Sequence, residues 1–260
     1  MKEHGNGLTG AQLKYLACVS MVIDHVGMLF APMAAVAGAD DLLYHLFRYA
    51  GRLAFPIFAF FVAEGCLHTH DFRRYLLRLG LFGALTHVVA LIATGGQSGS
   101  VIATFFFAAL GIWFYRLLRE RGLYPFFALL PAAALVLLGQ LFHVDYGGAG
   151  VAAVVALFLC GPRLDRRLLC LGLAMAVTYL VHFPLELALT GRIWENISSY
   201  LPWFTSFYLP YQFLCLLCSW AALPLLARYN GRPGRSGKWF FYWFYPVHMA
   251  VLYLLSLLIS

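Results

Sequence analysis

Charged residues are scarce in this sequence: they make up 11% of its 260 positions, and only 11 residues are Asp or Glu. Soluble domains usually carry about 25% charged residues. At roughly 20 residues per spanning helix, the chain can hold about nine spans and no sizeable soluble domain. Lipid excludes open sheets, and the apolar runs are too long for the alternating strands of a membrane barrel. The sequence therefore predicts an all-α, polytopic membrane helix bundle that forms one domain over residues 1–260.

Several signature motifs are also missing. The sequence contains no Gly-rich nucleotide loop, no Gly-x-Ser-x-Gly elbow and no internal repeat, and the missing repeat weakens a transporter interpretation. Cys215 and Cys218 have the spacing of a redox or metal pair, but they lie in an apolar run without a nearby histidine, which favours packing. His68 and His70 adjoin loop arginines, which favours a solvated or phosphate-facing role. We expect neither disulfides nor a metal site.

The basic residues are distributed asymmetrically along the chain. If the N-terminus is cytoplasmic, every one of the 18 Lys and Arg residues except Arg48, Arg52 and Arg192 falls on the inner side of the spans. This predicts that the N-terminus is inside and the C-terminus outside, in the inner (plasma) membrane. The arginines are spread over separate loops, which argues against nucleic acid as a partner. The predicted spans are 11–33, 47–67, 75–93, 101–118, 124–142, 147–161, 167–189, 207–227 and 239–258.

The first span contains Lys14, Asp24 and His25, which the apolar region of a cleaved signal peptide would not. We therefore expect a retained helix. Ionisable residues inside membrane helices are costly, and each one is a candidate functional residue. They are Asp24, His25, Arg52, Glu64, His87, His182, Glu186 and His248.

Two of these histidines each follow a lysine in the same predicted span. Lys14 and His25 are eleven positions apart, which returns to the same helix face and separates them by roughly 16 Å. Lys238 and His248, in the last span, repeat the arrangement at roughly 15 Å. Such a geometry suits a ligand with phosphates at the cytoplasmic face and a reactive group at mid-membrane, as in acetyl-coenzyme A. The plainer interpretation is that the lysines only extend to the interface and that His25 makes an interhelical hydrogen bond.

Asp24 and His25 are adjacent and point in different directions, so each needs its own partner. Arg52 is expected at the depth of Asp24, which predicts an ion pair with either a packing or a catalytic role. Asp145 lies in a predicted outer loop, where it would receive an acceptor group or simply mark a glycine turn. His87, His182 and Glu186 are assigned to packing or to the interface.

A set of short stretches runs from the first predicted span to the last: Leu13–Ala17, Met21–His25, Gly51–Ala59, Glu64–Gly65, His68–Thr69, Arg74–Tyr75, Asp145–Tyr146, Lys238, Phe241–Tyr242 and Tyr245–His248. Taken together, they resemble the TraX family of membrane acetyltransferases. That family is named for N-terminal acetylation of conjugative pilin and is similar to the acyltransferase-3 group, in which a basic residue stands eleven positions before a first-helix histidine. Lys14 takes this position, although lysine lacks the bidentate fork of the usual arginine.

The resemblance implies acetyl transfer from cytoplasmic acetyl-CoA, as co-substrate, to an amine or hydroxyl of a membrane-associated or extracytoplasmic acceptor: a peptide N-terminus, a glycan or a small molecule. We expect His25 to be the general base and His248 to hold or polarise the acetyl group. Asp24 and Arg52 would set the local charge. The residues expected to bind acetyl-CoA are Lys14, Lys238, Arg74, Arg78, Glu64 and Tyr245.

Two other functions fit the same residues. A small proton-coupled transporter or flippase would carry protons on Asp24, Glu64 and the buried histidines. Consumption of acetyl-CoA without vectorial flux would exclude it. A membrane scaffold subunit would tolerate neutral replacement of Asp24 and His25.

Overall fold

The computed structural model describes residues 7–36, 41–93, 99–190, 197–235 and 237–259, which are helical apart from short connections and one isolated β-bridge. The helices are α1 (Gly10–Val36), α2 (Asp41–Gly51), α3 (Ala54–His68), α4 (Phe72–Ala93), α5 (Val101–Glu120), α6 (Pro125–Ala128), α7 (Leu130–Leu141), α8 (Gly147–Leu159), α9 (Leu164–Val177), α10 (Phe183–Thr190), α11 (Ile197–Trp203), α12 (Leu209–Trp220), α13 (Ala222–Ala227) and α14 (Lys238–Ile259), with π-helical turns at Thr178–His182 and Phe204–Tyr208.

Seven helical segments within these ranges are long and apolar enough to cross a membrane. One combines α2 with α3, one α9 with α10, and one α11 with α12 and α13. Two shorter apolar segments, Pro125–Leu141 and Gly147–Leu159, occupy the remaining predicted spans. The prediction of a polytopic helical bundle is therefore confirmed, and the chain is a multi-pass membrane protein. Its orientation stays a prediction.

Two glycines bring α1 and α2 into close contact. A Cβ at Gly27 would come within 2.3 Å of the Phe47 Cβ, and one at Gly51 within 2.2 Å of the Asp24 carboxylate. Neither distance is possible for a real side chain, so the crossing of α1 and α2 depends on glycine at both positions. This close approach places the C-terminal end of α2 beside Asp24.

The start of α1 is anchored to the loop that precedes α14. The N–H groups of Gly10 and Ala11 donate to the carbonyls of Arg232 and Pro233 at 2.9 and 2.8 Å. These bonds satisfy N–H groups that a helix leaves without internal partners. The described residues 230–235, part of a glycine- and arginine-rich stretch with the composition of a linker, therefore lie against the first turn of α1.

The α7–α8 hairpin is short. Its helices contain 12 and 13 residues, which corresponds to about 20 Å or less against a hydrocarbon core of about 30 Å. The connection is tied to the first turn of α5, because the Thr104 hydroxyl donates to the Asp145 carbonyl and the Gly99 N–H donates to the His143 carbonyl. The sequence places Asp145 in an outer loop, but the structure folds that loop into the bundle.

Candidate active site

A pair of histidines joins the first helix to the last. Nδ1 of His25 lies 2.7 Å from Nε2 of His248, and Nδ1 of His248 lies 2.7 Å from the carbonyl oxygen of Phe244. Tyr245 meets both imidazoles edge-on, with ring centres 5.7 and 5.4 Å away. His25 is buried. The sequence places the two histidines at one depth, and the structure brings them into direct contact.

Asp24 lies between two arginines next to this pair. Nη1 of Arg48 donates to one carboxylate oxygen and Nη2 of Arg52 to the other, both at 2.7 Å, and Nε of Arg52 donates to the Arg48 carbonyl at 2.9 Å. The predicted ion pair of Asp24 with Arg52 is present. Arg48 was not predicted as a partner of Asp24, because it is the second residue of the predicted span 47–67 and was counted with the cations of the outer side. The three side chains together carry one net positive charge.

A small chamber of about 30 Å³ adjoins His25, which is room for roughly one or two water molecules. Its lining includes Asp24, His25, Asp145, Tyr146 and Tyr245. The Asp145 carboxylate accepts a hydrogen bond from the Tyr146 N–H at 3.0 Å. Burial raises the pKa of Asp145 to about 6, although the nearby arginines oppose this shift. The chamber therefore joins a buried imidazole to a carboxyl group from a distant part of the chain.

Tyr146 is held in a strained conformation that places Asp145 at the chamber. Its φ of 61° is left-handed, which costs about 1–3 kcal/mol for a residue other than glycine. Its ring stacks on Phe55 with centres 3.9 Å apart, and its hydroxyl lies 3.3 Å from that of Tyr179. Residues held in such conformations by packing cluster at functional sites.

A larger, mostly apolar cavity of about 410 Å³ has Lys14, Pro233 and Gly234 in its lining. Along α1 it reaches Met21, one turn before His25. The cavity and the small chamber share four lining residues: Met21, Phe58, Val101 and Tyr245. Tyr245 is the one of these four with a polar side-chain atom. The apolar cavity lined by Lys14 therefore adjoins the chamber lined by His25.

The cations predicted to bind phosphate differ in their surroundings. Nζ of Lys14 lies 4.5 Å from the centre of the Phe241 ring, and in the described part of the chain no carboxylate pairs with it. Arg78 lies on α4 between Tyr75 and Leu79, two residues that line the cavity. Its Nε is buried without a hydrogen-bond partner. Arg74 is exposed and pairs with Asp71 at 2.9 Å. Lys238 begins α14, but its side chain lies outside the described residues.

Glu64 does not line the cavity, although its neighbour Gly65 does. Its carboxylate forms an ion pair with Arg167 and lies 3.7 Å from Nδ1 of His68. Arg167 also donates to the Phe60 carbonyl at 2.8 Å. This pair was not predicted, because Arg167 is the first residue of the span 167–189 and was counted with the cations of the inner side. A contact between Glu64 and acetyl-CoA stays a prediction.

His182 and Glu186 belong to a separate polar network at the α7–α8 turn. The Gln140 amide donates to Glu186 at 2.7 Å and accepts from the Gly148 N–H at 2.9 Å, while Nε2 of His182 lies 3.8 Å from Glu186. These contacts join α10 to the hairpin that carries Asp145. They are consistent with the packing role expected from the sequence.

Comparison with known proteins shows the family to which the chain belongs. The family model described as TraX protein matches residues 9–256, which is nearly the whole chain. The chain belongs to the TraX family. A relative from Dichelobacter nodosus, described as the probable fimbrial assembly protein FimC of serogroup H1, is 26% identical over 255 residues that cover 93% of each chain. No solved structure matches the chain.

Proposed function

We propose that this TraX-family protein is an integral membrane acyltransferase that transfers an acetyl group from acetyl-CoA to an amine or hydroxyl acceptor. The observation that carries the proposal is that the apolar cavity and the histidine chamber adjoin and share four lining residues. A cation without a carboxylate partner among the described residues, Lys14, stands at one end, and a buried base, His25, stands at the other. The apolar lining suits the pantetheine arm and excludes water.

The distances along α1 support this placement. Lys14 and His25 lie eleven residues apart on one continuous helix, or roughly 16 Å. If the phosphates of acetyl-CoA bind Lys14 and Arg78, its pantetheine arm would run along Met21 and Tyr245. The thioester would then lie at the junction of the two cavities. Burial of the Arg78 Nε without a partner is costly, and a phosphate oxygen would remove that cost.

The chemistry assigned to the chamber is general base catalysis. The acceptor loses a proton as it attacks the thioester carbonyl, and a neutral imidazole is suited to take that proton. His25 is the base in this proposal, and the hydroxyl of Tyr245, which lines both cavities, would polarise the carbonyl. Asp24, Arg48 and Arg52 set the charge around the site.

We place the protein in the plasma membrane, with acetyl-CoA on the cytoplasmic side and the acceptor arriving from the outer side or from the bilayer. The relative from Dichelobacter nodosus is described as a fimbrial assembly protein. By analogy, a peptide N-terminus is one candidate acceptor, alongside a glycan or a small molecule. Each presents the nucleophile that the proposed base requires.

The donor half of the proposal is tested with Val101→Phe, which fills the junction between the two cavities. Because this side chain borders free volume, the variant should fold and should lose acetyl-CoA affinity by about tenfold or more, from about 1.4 kcal/mol of lost contacts. Val19→Phe, on the exposed face of α1, is the matched control and should bind normally. Isothermal titration of the purified protein with acetyl-CoA measures both. Equal affinity for the two variants would contradict the proposed donor path.

The catalytic half is tested with His25→Ala. Acetyl-CoA binding should persist, while transfer to glycinamide or to N-acetylglucosamine, as amine and hydroxyl probes, should slow by about 10²–10⁴-fold. Coenzyme A release per folded molecule gives the rate. Near-normal turnover would refute the assignment of His25. Proton-coupled flux in proteoliposomes without consumption of acetyl-CoA would favour the transporter alternative.

A further inference from the structure

We propose that His248 fixes His25 as the tautomer with hydrogen on Nδ1 and receives that proton during the reaction, so that the two histidines form a proton relay. The tautomer follows from hydrogen bonds alone, whereas the relay step rests on the proposed acetyl transfer. His248 thereby acts through His25 as a positioning residue and proton store. This role differs from the expectation that His248 holds the acetyl group.

The hydrogen-bond chain has one direction in its neutral state. A carbonyl oxygen only accepts, so Nδ1 of His248 must donate to the Phe244 carbonyl at 2.7 Å. A neutral imidazole carries one N–H, so Nε2 of His248 is an acceptor. The 2.7 Å contact to His25 then requires the hydrogen to lie on Nδ1 of His25. Nε2 of His25 is left with a free lone pair.

The ring geometry supports a linear hydrogen bond and not a stacked pair. The ring planes differ by 19° and the centres are 4.9 Å apart, while the two nitrogens are 2.7 Å apart. The 4.9 Å between the ring centres is close to the sum of the 2.7 Å between the two nitrogens and the distance from each nitrogen to the centre of its own ring. The rings therefore lie almost in one plane, with N–H aimed at N, which is the arrangement that proton transfer needs.

Two contacts of His248 stabilise a positive charge on its ring. His248 stacks on the Phe244 ring with centres 4.7 Å apart, and that π face stabilises a cation. Its Nδ1–H also keeps its carbonyl acceptor when the ring becomes charged.

Two protons move in the relay, and both return at its end. The acceptor attacks the thioester carbonyl carbon and gives its proton to Nε2 of His25, while the Nδ1 proton of His25 moves to Nε2 of His248. His248 becomes the imidazolium. The tetrahedral intermediate collapses, the carbon–sulfur bond breaks, and coenzyme A leaves as a thiolate. The two protons then return along the same path, so that the thiolate becomes the thiol and both histidines are neutral again.

The tautomer is measured without any reaction. In protein with ¹⁵N-labelled histidine, nitrogen chemical shifts and couplings should show Nδ1 protonated and Nε2 free in both His25 and His248 at neutral pH. His248→Gln should preserve the His25 tautomer, because the amide oxygen still accepts from Nδ1, whereas His248→Ala should lose it. Hydrogen on Nε2 of His25 in the wild-type protein would overturn the proposal.

The same two variants test whether His248 takes up a proton or only orients His25. The amide introduced by His248→Gln can hold His25 but cannot take a proton, so His248→Gln and His248→Ala should both lower kcat for glycinamide by at least tenfold with an unchanged KM for acetyl-CoA. Wild-type kcat in His248→Gln would reduce His248 to orientation and overturn the relay. If the wild-type protein binds no acetyl-CoA, the proposed function fails and so does the relay, while the tautomer assignment stands or falls on the spectra.

Discussion

Two buried ion clusters in this protein differ in charge balance and in what they adjoin. Arg167 and Glu64 cancel each other's charge, join α9 to α3 and lie outside the cavity lining. In the other cluster, Asp24 is shared by Arg48 and Arg52, so these three side chains carry one excess positive charge. This cluster borders the chamber beside His25. Arg167 is only 2% exposed.

The difference indicates that burial of charge serves two purposes in one bundle. A neutral pair adds little net stability over well-packed apolar residues, but it fixes which helices are neighbours. A cluster with excess charge next to a cavity sets the electrostatic potential at whatever occupies that cavity. Breaking each cluster separately should therefore give different outcomes.

The largest expected effect is on stability, from Arg167→Met. This change leaves the Glu64 carboxylate without its partner and removes the donor to the Phe60 carbonyl. Loss of one member of a buried pair costs about 3–5 kcal/mol, and the low end applies because Glu64 is 23% exposed. Thermal unfolding in detergent should show a lower unfolding temperature for Arg167→Met than for the wild type. The double variant with Glu64→Gln should recover most of the loss, and failure to recover would mean that the charge balance is not the cause.

A smaller effect is expected from Gly51→Ala, which disturbs the other cluster without changing any charge. The added methyl group would overlap the Asp24 carboxylate and displace it from its arginines, at about 1–3 kcal/mol for overpacking. Activity per folded molecule should fall as well. Gly172→Ala, where the nearest neighbouring atom would be 3.4 Å away, is the matched helical control and should behave as wild type. Equal behaviour of the two variants would contradict a role for the close α1–α2 contact.

A pH dependence is expected from Asp145, and it is spread over about two pH units. Its pKa is raised from 3.8 to about 6, so the folded protein keeps a proton that the unfolded chain has already released. Stability therefore falls as pH rises through this window, by about 1.4 kcal/mol per unit, and stays low above it.

Asp145→Asn should remove this dependence and should unfold at a higher temperature than wild type at neutral pH. Unfolding temperatures of both proteins between pH 4 and pH 8 measure it, with the surface change Asp71→Asn as the control. A wild-type stability that rises with pH, and a less stable Asp145→Asn, would instead assign Asp145 to an ion pair with the arginines.

What the sequence predicted well concerns single helices. The spacing of Lys14 and His25, and their continuity on α1, follow from helical geometry alone. The Asp24–Arg52 pair was also predictable, because an unpaired charge at that depth is too costly and few partners were available. Depth and helix face are properties that a pattern of residues along one segment can give.

What the sequence did not predict concerns contacts between distant segments. The insertion of Asp145 beside His25 depends on a short hairpin and on a left-handed Tyr146, and no periodicity indicates either. Arg167 is one of several inner arginines in the sequence, and nothing distinguishes it from Arg163 or Arg166 until α9 packs on α3. Such contacts depend on which helices pack together, and that information is not carried by any one segment.

The histidine contact also sets an order of events in biosynthesis. His25 and His248 are 223 residues apart in the chain. At roughly 5–20 residues per second, translation takes on the order of 10–45 s to cover that separation. During this time the first helix is already made, yet its histidine has no partner from the last. The histidine pair can exist only after α14 has docked on α1, so an incompletely inserted chain would lack the proposed relay.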